Sequence, residues 1–229
     1  MDFSQQLPIV IHSLNVGFLQ TLKLFAITLV GACPLGLAIC FGSMSRIKPV
    51  SAFFKLLIWV VRGTPLMIQL LIIYFFPGLV LHNPIWGGGE AGRFLAAAVS
   101  FIINYACYFS EIYRGGIQGV PEGQKEAAKS IGMTGLQAFF RVIFPQAVTV
   151  ALPMFANQFL STMKSTSIVF VITVVELFGA AKLFSEDSMR YFEAYMAVAI
   201  LYWLMGVGFE FIFGKMEVRS NRFRKGNLA

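Results

Sequence analysis

The polar residues best suited to binding a solute lie in an otherwise apolar stretch, residues 148–178. They recur at helical spacing on one predicted face: Asn157, Ser161, Lys164 and Ser165, with Thr166 beside them. Ionisable side chains within apolar helices usually face a bundle interior or a water-filled path. The ammonium group of Lys164 can therefore meet a carboxylate, either of a solute or of an acid such as Glu111. Alternatively, a lysine near a helix end extends its charge to the membrane interface.

A second polar candidate, Gln69, follows a cluster of helix-breaking residues, Arg62-Gly63-Thr64-Pro65. Thr64 suits the N-cap of a helix, and Pro65 suits the first helical position. We therefore expect one broken helix across residues 51–81, with its first part capped by Ser51. Broken helices at membrane depth are tolerated where they face a cavity or other protein. The cluster accordingly predicts a functional kink.

The sequence contains no recognisable pattern for catalysis or metal binding. Gly214-Lys215 is followed by Met216 and lacks the upstream glycine of a phosphate-binding loop. Histidine, cysteine and carboxylate residues are not clustered as metal ligands, and the three cysteines lie singly in apolar runs. We predict that this chain has no catalytic residue, no metal and no cofactor of its own.

Charges and helix-ending residues crowd together at residues 111–146, unlike the apolar sequence around them. Pro121 suits the first position of a helix, and Gly132 suits its left-handed C-terminal residue. Thr134 and Gln137 have the spacing of a capping box, and Pro145 should kink or end the second helix. Two short surface helices joined by a glycine are typical of a docking element.

Composition places these segments in an integral membrane protein. Hydrophobic residues make up 57% of the 229 residues and charged residues only 13%. A span needs about 20 apolar residues, so we predict an all-α protein with about five spans. We expect a single domain over residues 1–229, with its core at about 15–215. The predicted spans are residues 16–41, 51–81, 93–113, 148–178 and 191–213. They are joined by a flexible loop at 80–92, a docking loop at 114–146 and a polar loop at 179–190, and a basic tail follows at 215–229.

Lysine and arginine residues predict the orientation of the chain in the membrane. Thirteen of them fall at residues 46–62, in the docking loop or in the tail, and only Arg93, Lys182 and Arg190 fall towards the opposite side of the membrane. The thirteen-residue side should be cytoplasmic, with the N-terminus outside and the C-terminus inside. Membrane orientation and anionic lipid account for the net charge of +7, so no nucleic-acid partner is implied.

The docking element resembles the EAA loop of ATP-binding-cassette (ABC) importer permeases. The matching residues are Glu126-Ala127-Ala128, then Gly132 after three residues, and after nine more Val142, Phe144 and Pro145. The family pattern has Ile and Leu where this chain has Val142 and Phe144. The chain further resembles the polar amino acid uptake branch through Arg62-Gly63-Thr64-Pro65 and Lys164-Ser165-Thr166-Ser167, which has the family form Lys-Asp-Thr-Ser.

The resemblance implies a type I importer transmembrane domain: a non-catalytic permease subunit that forms the path for polar amino acids. ATP and Mg²⁺ would be bound by separate ATPase subunits, which the loop would contact through Pro121, Glu126, Ala127, Ala128, Gly132 and Pro145. Further implied partners are a second permease chain, identical or related, and an extracytoplasmic substrate-binding protein or domain. The implied location is the bacterial cytoplasmic (inner) membrane.

Other interpretations stay open at this point. Glu126 can pair with a basic group of the ATPase or of its own loop, or remain a solvated charge. The transported solute could belong to another class of small molecule. A secondary transporter should show an inverted repeat and midplane carboxylates, and a membrane enzyme needs a cluster of catalytic residues; neither is evident in the sequence.

Overall fold

The computed structural model describes the backbone of residues 3–225 and the side chains of residue 12 and residues 14–220. Within these limits the chain is helical and contains no strand. Its α-helices are α1 (Phe3–Ser43), α2 (Lys48–Gly63), α3 (Leu66–Leu79), α4 (Gly89–Gln118), α5 (Glu122–Ser130), α6 (Gly135–Ala138), α7 (Phe144–Ser165), α8 (Leu177–Ser188) and α9 (Tyr191–Lys225). A π-helical turn, Phe139–Ile143, leads into α7, and a 3₁₀ segment, Thr166–Ile172, follows it.

Four described helical segments are long and apolar enough to cross a membrane: Leu14–Ser43, Gly89–Gln118, Gly135–Ile172 and Tyr191–Ser220. The pair α2 and α3 passes the same test together and is bent by 107° at its break. Counting this pair as one broken span gives five spans. The structure thus agrees with the predicted class and with the predicted interruption of the second span.

Helix α4 lies at the centre of the packing. Its inner side contributes Phe101, Phe109 and a run of small buried alanines to the main core. Helix α1 approaches α4 closely because Gly36 has no side chain. A Cβ atom added at Gly36 would lie only 2.9 Å from the carbonyl oxygen of Ala106. Helix α7 packs against α4 in the same way, since a Cβ at Gly116 would lie 2.7 Å from the Ala147 carbonyl oxygen. Small residues thus allow the close backbone contacts that membrane helices use for association.

Burial differs strongly between the spans. The share of the most apolar stretch that is buried within the chain is 61% in α4, 22% in the α7 span and 6% in α9. A water-soluble protein would rarely leave so much apolar surface uncovered. Lipid or another protein chain must therefore cover much of α7 and α9.

Several predicted boundaries differ from the structure. Helix α1 runs without a break from Phe3, and α9 continues to Lys225, so the part of the predicted tail at 215–225 is helical. Residues 226–229 of that tail lie outside the described residues. Helix α4 extends to Gln118, so the first residues of the predicted docking loop belong to this span.

The prediction of a polar loop at 179–190 was wrong, because α8 occupies most of that segment. The buried carboxylate of Glu176 is the physical reason. It accepts hydrogen bonds from the backbone N–H groups of Phe178 and Gly179, both at 2.9 Å, and so caps the start of α8. The same carboxylate accepts from Thr21 of α1 and Tyr202 of α9. Glu176 is fully buried within the chain.

Candidate functional site: a coupling segment and two polar cavities

The predicted docking element forms two short helices, α5 and α6, joined at Gly132. Gly132 has φ +77°, which confirms the left-handed conformation predicted for it. The capping box is also confirmed, because Thr134 and Gln137 exchange side-chain-to-backbone hydrogen bonds. Pro121 directly precedes α5, one residue earlier than predicted. The joint between the helices is therefore tightly defined by local chemistry.

The surface of this segment combines polar and exposed apolar groups. Ala128 is buried against the rest of the chain, whereas Glu126 and Ala127 face outward. Three large apolar side chains are exposed beside them: Ile131 by 73%, Leu136 by 74% and Phe140 by 62%. These three residues were missed by the sequence analysis, although large apolar residues in a polar surface segment are a detectable sign of a protein-binding surface.

The segment from α5 through the π-helical turn, residues 122–143 (hereafter the coupling segment), leads directly into α7. Pro145 is the second residue of α7, and the π-helical turn before it allows the chain to pass from α6 into the span without a loop. Proline lacks the N–H needed for a regular helical bond, which explains why the helix geometry changes here rather than continuing regularly. Gln146 donates to Gln124 of α5 at 3.2 Å. Helix α6 is therefore continuous with α7 through the π-helical turn, and α5 contacts α7 through this hydrogen bond.

Polar side chains hydrogen-bond the backbone groups at the break between α2 and α3. Thr64 was predicted as an N-cap, but its hydroxyl donates backwards to the Val60 carbonyl at 2.9 Å, and Pro65 takes the N-cap position. The amide nitrogen of Gln69 donates to the carbonyl oxygens of Val61 at 2.7 Å and Thr64 at 3.1 Å. These groups need side-chain partners because Pro65 has no N–H and the membrane interior offers little water.

Asn104 fixes the depth of this break. Its side-chain nitrogen donates to the side-chain amide oxygen of Gln69 at 3.0 Å. Asn104 lies midway along α4, which spans Gly89–Gln118. The break and the Gln69 side chain therefore lie near the middle of the membrane-spanning region.

A cleft of about 830 Å³ extends from this break along α2 and α4. At its centre, Glu111 accepts two hydrogen bonds from Arg114, at 2.9 and 2.6 Å, and lies 3.5 Å from Arg62. Arg62 also packs over the ring of Tyr108 at 5.1 Å. The Arg62–Glu111–Arg114 cluster joins the broken span to the last turns of α4, which precede the coupling segment. Glu111 is thus paired with these arginines and not with Lys164.

A second cavity, about 470 Å³, lies between α7 and α9. It is lined by four of the predicted solute-path residues, Asn157, Ser161, Lys164 and Ser165. Thr166 is buried instead, donates to the Met163 carbonyl oxygen and lies 3.3 Å from the Tyr202 hydroxyl. Gln69 lies at the helix break, away from this cavity. The cavity also contains Glu210 of α9, an intramembrane acid that the sequence analysis did not select.

No metal centre is found in the part of the chain that the structure describes. Within it, no group of three His, Cys, Asp or Glu residues is arranged to hold a metal ion. Cys33, Cys40 and Cys107 form no disulfide, and the last two are buried. The described residues thus offer a polar cavity between α7 and α9 and an exposed apolar surface on the two short helices.

Comparisons with known proteins identify the family of the chain. The family model described as "Binding-protein-dependent transport system inner membrane component" matches residues 33–220. The chain is 33% identical to the probable amino-acid permease protein YxeN of Bacillus subtilis (strain 168), over 87% of this chain and 86% of that protein. It is 34% identical to the L-cystine transport system permease protein TcyB of the same organism, over 92% of this chain and 87% of that protein.

A solved structure resembles the whole fold. It is a chain from the crystal structure of an amino acid ABC transporter with histidines, at 35% identity and a TM-score of 0.85. The superposition covers 96% of this chain and 99% of that chain. The fold is that of a type I ABC importer permease, a non-catalytic membrane subunit whose ATPase is a separate chain. This protein belongs to the family of binding-protein-dependent transport system inner membrane components.

Proposed function

We propose that this permease subunit imports polar amino acids across the cytoplasmic membrane. The observation that carries the proposal is the likeness, over nearly the full chain, to YxeN, TcyB and the amino acid ABC transporter structure. The polar cavity between α7 and α9 supports it, because such a cavity can solvate a charged solute within the membrane.

The exposed side of α5 and α6 binds the ATPase in this proposal. Ile131, Leu136 and Phe140 supply apolar contacts, and the small side chain of Ala127 allows close approach. ATP and Mg²⁺ are bound by that partner. Because α6 continues through the π-helical turn into α7, closure of the ATPase beneath these helices would move the polar side of α7.

A second permease chain completes the path. Asn157, Ser161, Lys164 and Glu210 line a cavity at the surface of the single chain, where hydrocarbon would be an unfavourable neighbour. Either an identical or a related chain can cover this side. In this arrangement the N-terminus faces outward, the C-terminus faces the cytoplasm, and a substrate-binding protein or domain delivers the solute to the outer surface.

Purification of the complex from native membranes, followed by reconstitution in liposomes, tests this function. We expect an ATPase and a substrate-binding protein to co-purify, and ATP-dependent uptake of at least one polar amino acid. A complex that instead accumulates only sugars, phosphate or metal ions would contradict the amino acid assignment. Recovery of the chain without any ATPase would contradict its role as an ABC subunit.

A further inference from the structure

Lys164 and Glu210 bring opposite charges to one cavity inside the membrane-spanning region. Lys164 lies near the end of α7, and Glu210 lies within the Tyr191–Ser220 span of α9. Asn157, Ser161, Ser165 and Ser167 supply the other polar groups of the lining. Both charged residues are exposed in the single chain. The cavity is therefore open to a ligand from outside the chain.

Neither charge is neutralised by the residues that the structure describes. The ion pairs in this part of the chain involve Glu111, Glu122 and Glu186 as acids, and neither Lys164 nor Glu210 takes part in them. A charge without a partner is unfavourable in a membrane-spanning segment. Two uncompensated charges of opposite sign in one cavity therefore favour a ligand that supplies both opposite charges.

The helix packing determines how far apart the two residues lie along the membrane normal. Phe159 of α7 packs against Phe209 of α9, with ring centroids 4.9 Å apart. Lys164 lies beyond Phe159 towards the C-terminal end of α7, whereas Glu210 is next to Phe209. The offset between Lys164 and Glu210 is about 5 to 6 residues, or about 9 Å along the axis. Flexible lysine and glutamate side chains can reach across part of this offset towards a solute between them.

We propose that Lys164 and Glu210 bind the two ends of an amino acid zwitterion. The Lys164 ammonium group receives the carboxylate, and the Glu210 carboxylate receives the α-ammonium group. Asn157 and Ser161 lie beside the two charges and can hydrogen-bond the solute or its water. This inference rests on the proposed import of amino acids and adds the chemical groups by which this chain recognises them.

The test uses the permease complex, with its ATPase, reconstituted in liposomes. A panel of labelled polar L-amino acids and L-cystine first identifies the amino acid that the wild-type complex accumulates most. Competition is then measured with that amino acid, with its N-acetyl derivative, which lacks the ammonium group, and with its methyl ester, which lacks the carboxylate. Glu210→Gln and Lys164→Met are compared with Glu217→Gln and Lys215→Met, which make the same changes outside the cavity.

The wild-type complex should bind both derivatives at least 10-fold more weakly than the amino acid. In Glu210→Gln the weaker binding caused by N-acetylation (the N-acetyl penalty) should disappear, while the weaker binding caused by the methyl ester (the ester penalty) should remain. In Lys164→Met the ester penalty should disappear and the N-acetyl penalty should remain. The two control variants should keep both penalties. Equal behaviour of all three compounds in the wild type, or unchanged penalties in both cavity variants, would overturn the zwitterion site.

Two further outcomes separate the possible causes of failure. If Glu210→Gln and Lys164→Met no longer assemble with the ATPase, while Glu210→Asp and Lys164→Arg assemble and keep both penalties at wild-type size, the residues are structural and the proposal is overturned. If the wild-type complex accumulates no amino acid but does accumulate another solute, the proposed function itself fails. If the complex takes up an amino acid but neither Glu210→Gln nor Lys164→Met changes the two penalties, only the zwitterion site fails.

Discussion

Gln69 uses its side-chain amide to hydrogen-bond the backbone carbonyl groups left free at the break of the second span. Its nitrogen satisfies carbonyl oxygens at the end of α2, and its oxygen accepts from Asn104. A role for Gln69 in the solute path stays a prediction, but these bonds already account for its polar atoms. The position of a polar residue after a helix break indicated that Gln69 is important, whereas its partner Asn104 could not be inferred because α4 is distant in sequence.

Replacement of Gln69 by leucine should destabilise the chain rather than specifically weaken solute binding. The change leaves two backbone carbonyls and the Asn104 amide without this partner, which should lower stability by about 1–3 kcal/mol. Thermal unfolding of the detergent-solubilised complex measures the effect. Gln158→Leu is the matched control, because no hydrogen bond of its side chain is found among the described residues. Unchanged unfolding with lost uptake would instead identify Gln69 as a solute-binding residue.

Glu210 and Glu176 show what could not be inferred about single residues from the sequence. Both are acids flanked by apolar residues, and the local pattern is similar. The fold buries Glu176 among donors from α1, α8 and α9, whereas it leaves Glu210 exposed in the α7–α9 cavity. Their different roles arise from contacts between distant segments, which residue spacing alone does not specify.

At the scale of elements, Gly132 lets the coupling segment turn between its two helices. Its φ of +77° lies in the left-handed region, where a residue with a Cβ is strained. No atom lies within 4 Å of a Cβ added at Gly132. Any effect of a substitution must therefore come from the backbone conformation or from contact with a partner, and not from a clash within this chain.

Gly132→Val should uncouple ATP hydrolysis from transport. A β-branched residue disfavours the left-handed conformation by at least about 1 kcal/mol, so the two helices should change their relative orientation. Uptake into liposomes is expected to fall at least 10-fold, whereas ATPase activity either persists without uptake or is lost together with the ATPase subunit. Gly123→Val is the control, because position 123 also has open space but lies in α5 without a positive φ. Normal uptake by Gly132→Val would count strongly against the assigned role.

The elements that sequence reasoning located best were those marked by local chemistry. The capping box at Thr134, the left-handed Gly132 and the interruption after Arg62 each depend on residues close together in sequence. Helix α8 was missed because its N-terminal cap, Glu176, is buried by distant helices. The limits of α1 and α9 were also missed, since apolar periodicity ends before the helices do.

At the scale of the whole molecule, the chain has one well-packed side and one that needs a cover. Helix α4 and the facing side of α1 form the core, whereas α7 and α9 leave most of their surface open. The open side carries the polar cavity, and the coupling segment lies at one end of α7. This distribution is suited to a subunit that forms a transport path only together with other chains.

The proposed orientation can be tested with single cysteines in a variant whose three native cysteines are replaced by alanine. A cysteine at position 88, before α4, should react with a membrane-impermeant thiol reagent added to intact cells. A cysteine at position 123, in α5, should react only after the membrane is permeabilised. Labelling is measured by a mass shift. The reverse pattern, or equal labelling of both positions in intact cells, would contradict the orientation inferred from the basic residues.

Photo-crosslinking from the coupling segment tests whether this segment binds the ATPase. A benzophenone attached to a cysteine at position 131, where the exposed Ile131 side chain stands, should crosslink to the ATPase in the assembled complex. The same probe at position 88 is the control and should not reach that partner. Mass spectrometry of the product identifies the crosslinked chain. We expect an ATPase adduct from position 131 alone. An adduct from position 88 alone, or none from position 131 in a complex that hydrolyses ATP and transports, would contradict binding of the ATPase to the coupling segment.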